Sequence, residues 1–134
     1  MLPQDVYVCT SGTHVAFSTA YFSLDSTNIK TIPFLCGTVC AQSGVFVLQS
    51  LSTPLSVRNT GIASRLIRSM AQWCINNDVT TIELDDMSDR YRQPRNVYVN
   101  NGFRYCANDG PEMHATPAAV LQRHVDVTTL ASNP

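Results

Sequence analysis

Three groups of residues in this 134-residue chain could do chemistry. The first is Arg58-x-x-Gly61-x-Ala63, within SVRNTGIASRL at 56–66. An arginine three residues before a glycine, on a turn that opens a helix, places unpaired backbone N–H groups at the positive end of the helix dipole, which suits a phosphate. Gly61 lets the backbone approach a ligand with no Cβ in the way, and Ala63 keeps the first turn open. An ordinary helix start capped by Asn59 or Thr60 would match the same residues. No Gly-Lys-Ser/Thr run occurs, so a phosphate loop of the Walker type is excluded. The second group is ELDDMSD, where Glu83, Asp85, Asp86 and Asp89 make up four of the ten acidic residues. The third is Tyr98, four residues before the Gly102-Phe103 pair in NVYVNNGFRY.

Composition narrows the partners. Charged residues are 14% of the chain, against about 25% in typical domains. The surface must therefore rely on Ser, Thr, Asn and Gln, which permits self-association. A net charge of -1 gives no general attraction to nucleic acid or to a membrane surface. The longest purely apolar stretch, Val45–Leu48, is far too short to span a bilayer. The five cysteines (Cys9, Cys36, Cys40, Cys74, Cys106) are odd in number and lack paired metal spacing. Cys36 and Cys40 read better as buried free thiols than as metal ligands. No signal-peptide pattern opens the sequence, and a reducing, cytoplasmic setting is expected.

The elements that must position these groups change period midway. Residues 5–9, 14–24, 31–40 and 44–51 read as closely spaced strands separated by turns, an antiparallel meander with Pro33 at an edge or a strand start. From Gly61 to about Asn76, Ile62, Leu66, Met70 and Cys74 recur four apart, with Ala63, Ile67 and Ala71 beside them, which predicts an amphipathic helix. Residues 79–85 predict a strand, parallel to the one before the helix if the connection is a βαβ crossover. A short helix at 95–102 capped by Gly102, strands at 103–106 and 112–115, and a terminal helix at 117–125 complete the expectation. Alternation along 79–85 places Glu83 and Asp85 on one face, opposite Leu84 and Asp86.

Arg58, Gly61 and Ala63 in the first motif, with Tyr98, Gly102 and Phe103 in the second, resemble the GNAT superfamily of acyl-CoA-dependent N-acetyltransferases. The resemblance spans roughly residues 31–115 and includes the order of elements. It implies a single α/β (α+β) domain over 1–134, with a mixed, mostly antiparallel sheet splayed between its fourth and fifth strands, 44–51 and 79–85. Acetyl-CoA would lie in that gap as co-substrate, without a metal. Its pantetheine arm would pair with backbone groups of Leu51 and Ser52. Its pyrophosphate would rest on the amides of Asn59, Thr60, Gly61, Ile62, Ala63 and Ser64 beside Arg58. Tyr98 would protonate the leaving thiolate.

The resemblance leaves the base open. Relatives often carry a glutamate on the fourth strand, where this chain has Gln49 and Ser50. Glu83 or Asp85 could serve through water, or could draw a cationic amine to the cleft, or could be a solvated strand end; His14 and His114 are further candidates. Arg92 stands where relatives often have asparagine, and Arg90, Arg92 and Arg95 read best as a solvated, salt-bridged loop. Relatives also insert helices between the first two strands, whereas residues 10–30 show no helical period. The acceptor side is then open, rebuilt by residues 18–28, or completed by a second subunit in a homodimer. The expected activity is N-acetylation of a small amine, polyamine or protein amino group. A degenerate member that binds CoA or nothing and serves as an interaction module is the alternative.

Overall fold

The computed structural model describes residues 6–19, 32–53 and 61–123. Strands β1 (Tyr7–Ser11), β2 (His14–Ser18), β3 (Phe34–Cys40) and β4 (Val45–Ser52) form the antiparallel meander. Helix α1 (Ile62–Asn76) crosses over to β5 (Thr81–Asp85). Helix α2 (Val97–Asn100), β6 (Arg104–Tyr105), β7 (Glu112–Ala115) and a helix over 117–123, α3, follow. The sheet runs β1-β2-β3-β4-β5-β7-β6, with β4 and β5 as its parallel pair.

The tight turn at residues 12–13 joins β1 directly to β2, so no helix intervenes between the first two strands. β1 starts two residues later than its sequence suggests and takes in Ser11, because its register is set by five pairs with β2 from Tyr7↔Ser18 to Ser11↔His14. Pro33 immediately precedes β3, where a missing N–H costs no ladder bond.

α1 buries Leu66, Ile67, Met70, Ala71 and Cys74, the stripe its periodicity predicts. The stripe covers β2, β3 and β4, and Trp73 meets Phe17 and Phe46 edge-on at centroid distances of 6.3 Å each. Burial pushes the Cys74 thiol up to about 12, as suits an inert core residue. The cysteine expectation fails in β3: Cys36 is half-buried and Cys40 exposed, because alternation puts both on the face opposite the buried Leu35 and Gly37. None of the described helices is long and apolar enough to cross a membrane.

The feature that shapes the site is a bulge in β4. Gly37 of β3 pairs with Leu48 and Cys36 pairs with Ser50, leaving Gln49 without a partner on β3. A Cβ at Gly37 would overlap the Val47 carbonyl oxygen and the Phe46 ring, so glycine alone lets β4 press this closely. Gly37→Ala should therefore cost about 1–3 kcal/mol of stability in a urea titration. An unchanged midpoint would show that β4 can yield.

Candidate active site

β4 and β5 pair over only three positions, Val45↔Thr81, Phe46↔Ile82 and Val47↔Glu83. Beyond them β4 continues to Ser52 alongside β3, while β5 pairs with β7 through Asp85↔Glu112. The strands thus part directly after Val47 and Glu83, where the Gln49 bulge turns β4. Two backbones that leave each other in mid-sheet open a slot with polar edges, and no side-chain pattern announces it.

A cavity of about 830 Å³ lies at this split. Val47, Leu48 and Gln49 of β4 and Glu83 and Asp85 of β5 line one side. Glu112 and His114 of β7, with Cys106 after β6, line the other. Glu83, Asp85, Glu112 and His114 are exposed, while Leu84, Met113 and Ala115, at the alternate positions, are buried in the hydrophobic core. Glu83 stands directly opposite His114, and Asp85 opposite Glu112. Like charges placed opposite each other on neighbouring strands destabilise a sheet, so this acid face costs stability that a bound cation would relieve.

Glu83 and Asp85 thus occupy the face that alternation predicts. Glu112 was missed by sequence reading. Its signal was the E-M-H-A alternation, but only strand order puts it beside Asp85. Asp86 parts from the cluster. It is 2% exposed, and its carboxylate accepts from Asn96 Nδ2 at 2.7 Å, Tyr105 Oη at 2.6 Å, and Ser88 N and Oγ at 3.0 and 2.5 Å. Burial pushes its pKa up, but the hydrogen bonds from Ser88, Tyr105 and Asn96 outweigh that and hold it below the ordinary value. Asp89 is exposed in the following loop.

Asn96 carries the order onward. Its Oδ1 accepts from the backbone N–H groups of Tyr98 and Val99, capping α2. The opposite end of α2 closes with Gly102 N–H to Val99 O and Phe103 N–H to Tyr98 O, a Schellman turn. A chain of hydrogen bonds thus runs from buried Asp86 through Asn96 to the residue that bears the phenol. Tyr98 is 8% exposed, packs edge-on against Phe103 at 6.0 Å, and belongs to the hydrophobic core rather than to the lining of the acidic cavity. Its hydroxyl has no hydrogen-bond partner among the described residues. Burial, with the Asp86 charge second, pushes its pKa up to about 12, so the phenol keeps its proton at neutral pH.

Arg92 does not sit in a salt-bridged loop. Its guanidinium donates to the carbonyls of Ala107 and Gly110 and lies 4.2 Å from the Tyr105 ring centroid. It braces the loop after β6, and its backbone N–H donates to the same Tyr105 hydroxyl that holds Asp86.

Arg58, Asn59 and Thr60 lie outside the described residues. Leu51 and Ser52 are half-buried at the end of β4, beyond the last residue paired with β5. The N-cap of α1 is Gly61, at φ +82°, with no side-chain cap and no acidic residue in the first turn. The first intrahelical bond runs from Arg65 N to Gly61 O, so the amides of Ile62, Ala63 and Ser64 precede it, and a Cβ at Gly61 would meet open space. Among the described residues the helix start thus has no side-chain cap and no first-turn acid, features that suit an anionic group at the positive end of the helix dipole. Ser64 is also tied to α2, its hydroxyl accepting from Asn101 Nδ2 at 3.1 Å.

No family model matches the chain, and no curated protein matches it by sequence. Its fold is similar to that of a GNAT-family acetyltransferase from Staphylococcus aureus Mu50, with a TM-score of 0.60 and 16% identity over 78% of this chain and 68% of that one. The ribosomal-protein-S18-alanine N-acetyltransferase from Escherichia coli is similar at 0.56, with 15% identity over 80% and 71% of the two chains. A spermidine N-acetyltransferase chimera from Vibrio cholerae and hSSAT is similar at 0.59, with 12% identity over 82% and 73%. The chain has the GNAT fold, the fold of acyl-CoA N-acetyltransferases.

Proposed function

We propose that the protein transfers an acetyl group from acetyl-CoA to a cationic primary amine, with polyamines the class its cavity suits best. The observation that carries this reading is the cavity itself: three carboxylates and an imidazole on one sheet face, beside the split between β4 and β5. A lysine-like amine has a pKa of about 10.4 and arrives protonated. Glu83 and Asp85 would attract it in that form and take up its proton through water, which frees the nitrogen to attack. Acetyl-CoA supplies the thioester carbonyl. Leu51 and Ser52 would align the pantetheine arm. Arg58, with the amides from Asn59 to Ser64, would hold the pyrophosphate. Tyr98, kept protonated by its burial, would give its proton to the departing sulfur.

Titration calorimetry with acetyl-CoA is the first test. Micromolar binding, about −8 kcal/mol, followed by thiol release on adding spermidine, is expected. No heat, and no rise in melting temperature of the folded protein with acetyl-CoA, would overturn the reading. Tyr98→Phe removes one hydroxyl that has no hydrogen-bond partner among the described residues. It should leave acetyl-CoA affinity nearly intact and lower kcat by about a hundredfold; equal kcat would remove Tyr98 from the chemistry.

A further inference from the structure

Across the cavity from the strand split, Cys106 Sγ lies 3.0 Å from His114 Nδ1. Both side chains are exposed and both line the cavity. The thiol is held in place by its backbone, since the Cys106 N–H donates to Glu112 O at 2.8 Å. His114 is fixed by β7, with Glu83 opposite it on β5 and Arg104 opposite it on β6. A thiol in hydrogen-bond contact with an imidazole, and open to solvent, is the arrangement that turns cysteine into a nucleophile. The acetyl-transfer reading gives the thiol no role, and Cys106 follows β6, two strands away from β5 in the sheet order.

We propose that Cys106 and His114 form a covalent modification site, at which Cys106 undergoes thiol–disulfide exchange with a small cationic disulfide. His114 takes the Cys106 proton, and the thiolate attacks one sulfur of the disulfide. The S–S bond breaks as the new one forms, and the departing thiolate recovers the proton from His114. The net change is one protein thiol and one disulfide converted to a mixed disulfide and one free small thiol. The preference for a cation follows from the surroundings. Glu112, Asp85 and Glu83 line the same cavity and outnumber Arg104 beside it. A cationic reagent is concentrated there and an anionic one repelled.

The protein carries its own reference. Cys40, at the end of β3, is also exposed, and it has no imidazole partner among the described residues. The test treats the full chain with cystamine or with glutathione disulfide and follows each cysteine by peptide mass. Cystamine should modify Cys106 at least about tenfold faster than glutathione disulfide does, the ratio shrinking in 1 M salt as screening shortens the reach of the carboxylates. Cys40 should show a much smaller preference. His114→Asn should slow Cys106 about tenfold and leave Cys40 unchanged, with the melting temperature reporting that the variant is folded. Glu112→Gln should reduce the cystamine preference at Cys106 alone. Equal rates of Cys106 with both disulfides, or a folded His114→Asn protein that reacts as fast as the parent, would overturn the proposal.

Discussion

Replacing Asp86 with alanine should destabilise the protein by about 3 kcal/mol or more, the largest stability loss expected from one polar side chain here. The carboxylate accepts four hydrogen bonds, and removing it strands one N–H of Asn96 Nδ2, which keeps its bond to Arg90 O, with the Tyr105 hydroxyl and the Ser88 amide, where Asp86 itself is 2% exposed. Charge-assisted bonds of this kind count for about 1.5–3 kcal/mol each, but the freed donors will recover part of that with water. Asp86→Asn should lose less, since its amide keeps one acceptor oxygen. The effect has a definite pH signature. The folded-state pKa of Asp86 lies below its ordinary value, so the carboxylate's contribution is present in full above about pH 4 and is lost as pH falls through the lowered folded value. Urea titrations of parent and Asp86→Ala protein at pH 7 and near pH 3 isolate this contribution. The gap in stability should narrow at the acid end, and a gap that holds constant would show that the charge is not what matters. Because Asn96 caps α2, the same substitution should also slow acetyl transfer by loosening Tyr98.

The second large effect concerns the cavity. Glu83→Gln with Asp85→Asn keeps size and shape while removing two charges from the face beside the split. At about tenfold per charge, or about 1.4 kcal/mol each, kcat/KM for spermidine should fall about a hundredfold, while acetyl-CoA affinity stays the same. Under the proposed function, the parent is expected to prefer a multiply charged amine over a singly charged one, and the double variant should show less of that preference and less sensitivity to salt. A double variant that acetylates spermidine as well as the parent would show that the acids are a solvated strand end. The amine would then be bound elsewhere.

Several parts of this molecule could be read one residue at a time. The α1 stripe and the strands before it follow from local periodicity, since each element's buried side repeats with its own geometry, and the parallel return of β5 follows from the crossover through α1. The same logic placed Glu83 and Asp85 on one face and Leu84 and Asp86 on the other. Less was legible where one residue's role depends on a distant partner. Alternation set Asp86 apart from Glu83 and Asp85 but not its role, the buried centre of a network whose other members are Ser88, Asn96 and Tyr105. The Asn59-or-Thr60 cap was a fair inference from propensity, but the helix starts at Gly61 in a left-handed conformation.

Local chemistry determined which segments became strands and helices and which side of each is apolar; the acyl-CoA roles of Arg58, Gly61, Ala63 and Tyr98 are what the resemblance implies. The resemblance placed a parting between β4 and β5, but the tertiary structure alone decided the bulge at Gln49, the point three pairs along where the strands separate, and the meeting of Glu112 and His114 with Asp85 and Glu83. Those are matters of register between strands far apart in the chain. Register is set by close contacts such as Phe46 over Gly37, which depend on the packed sheet and leave no period in the sequence.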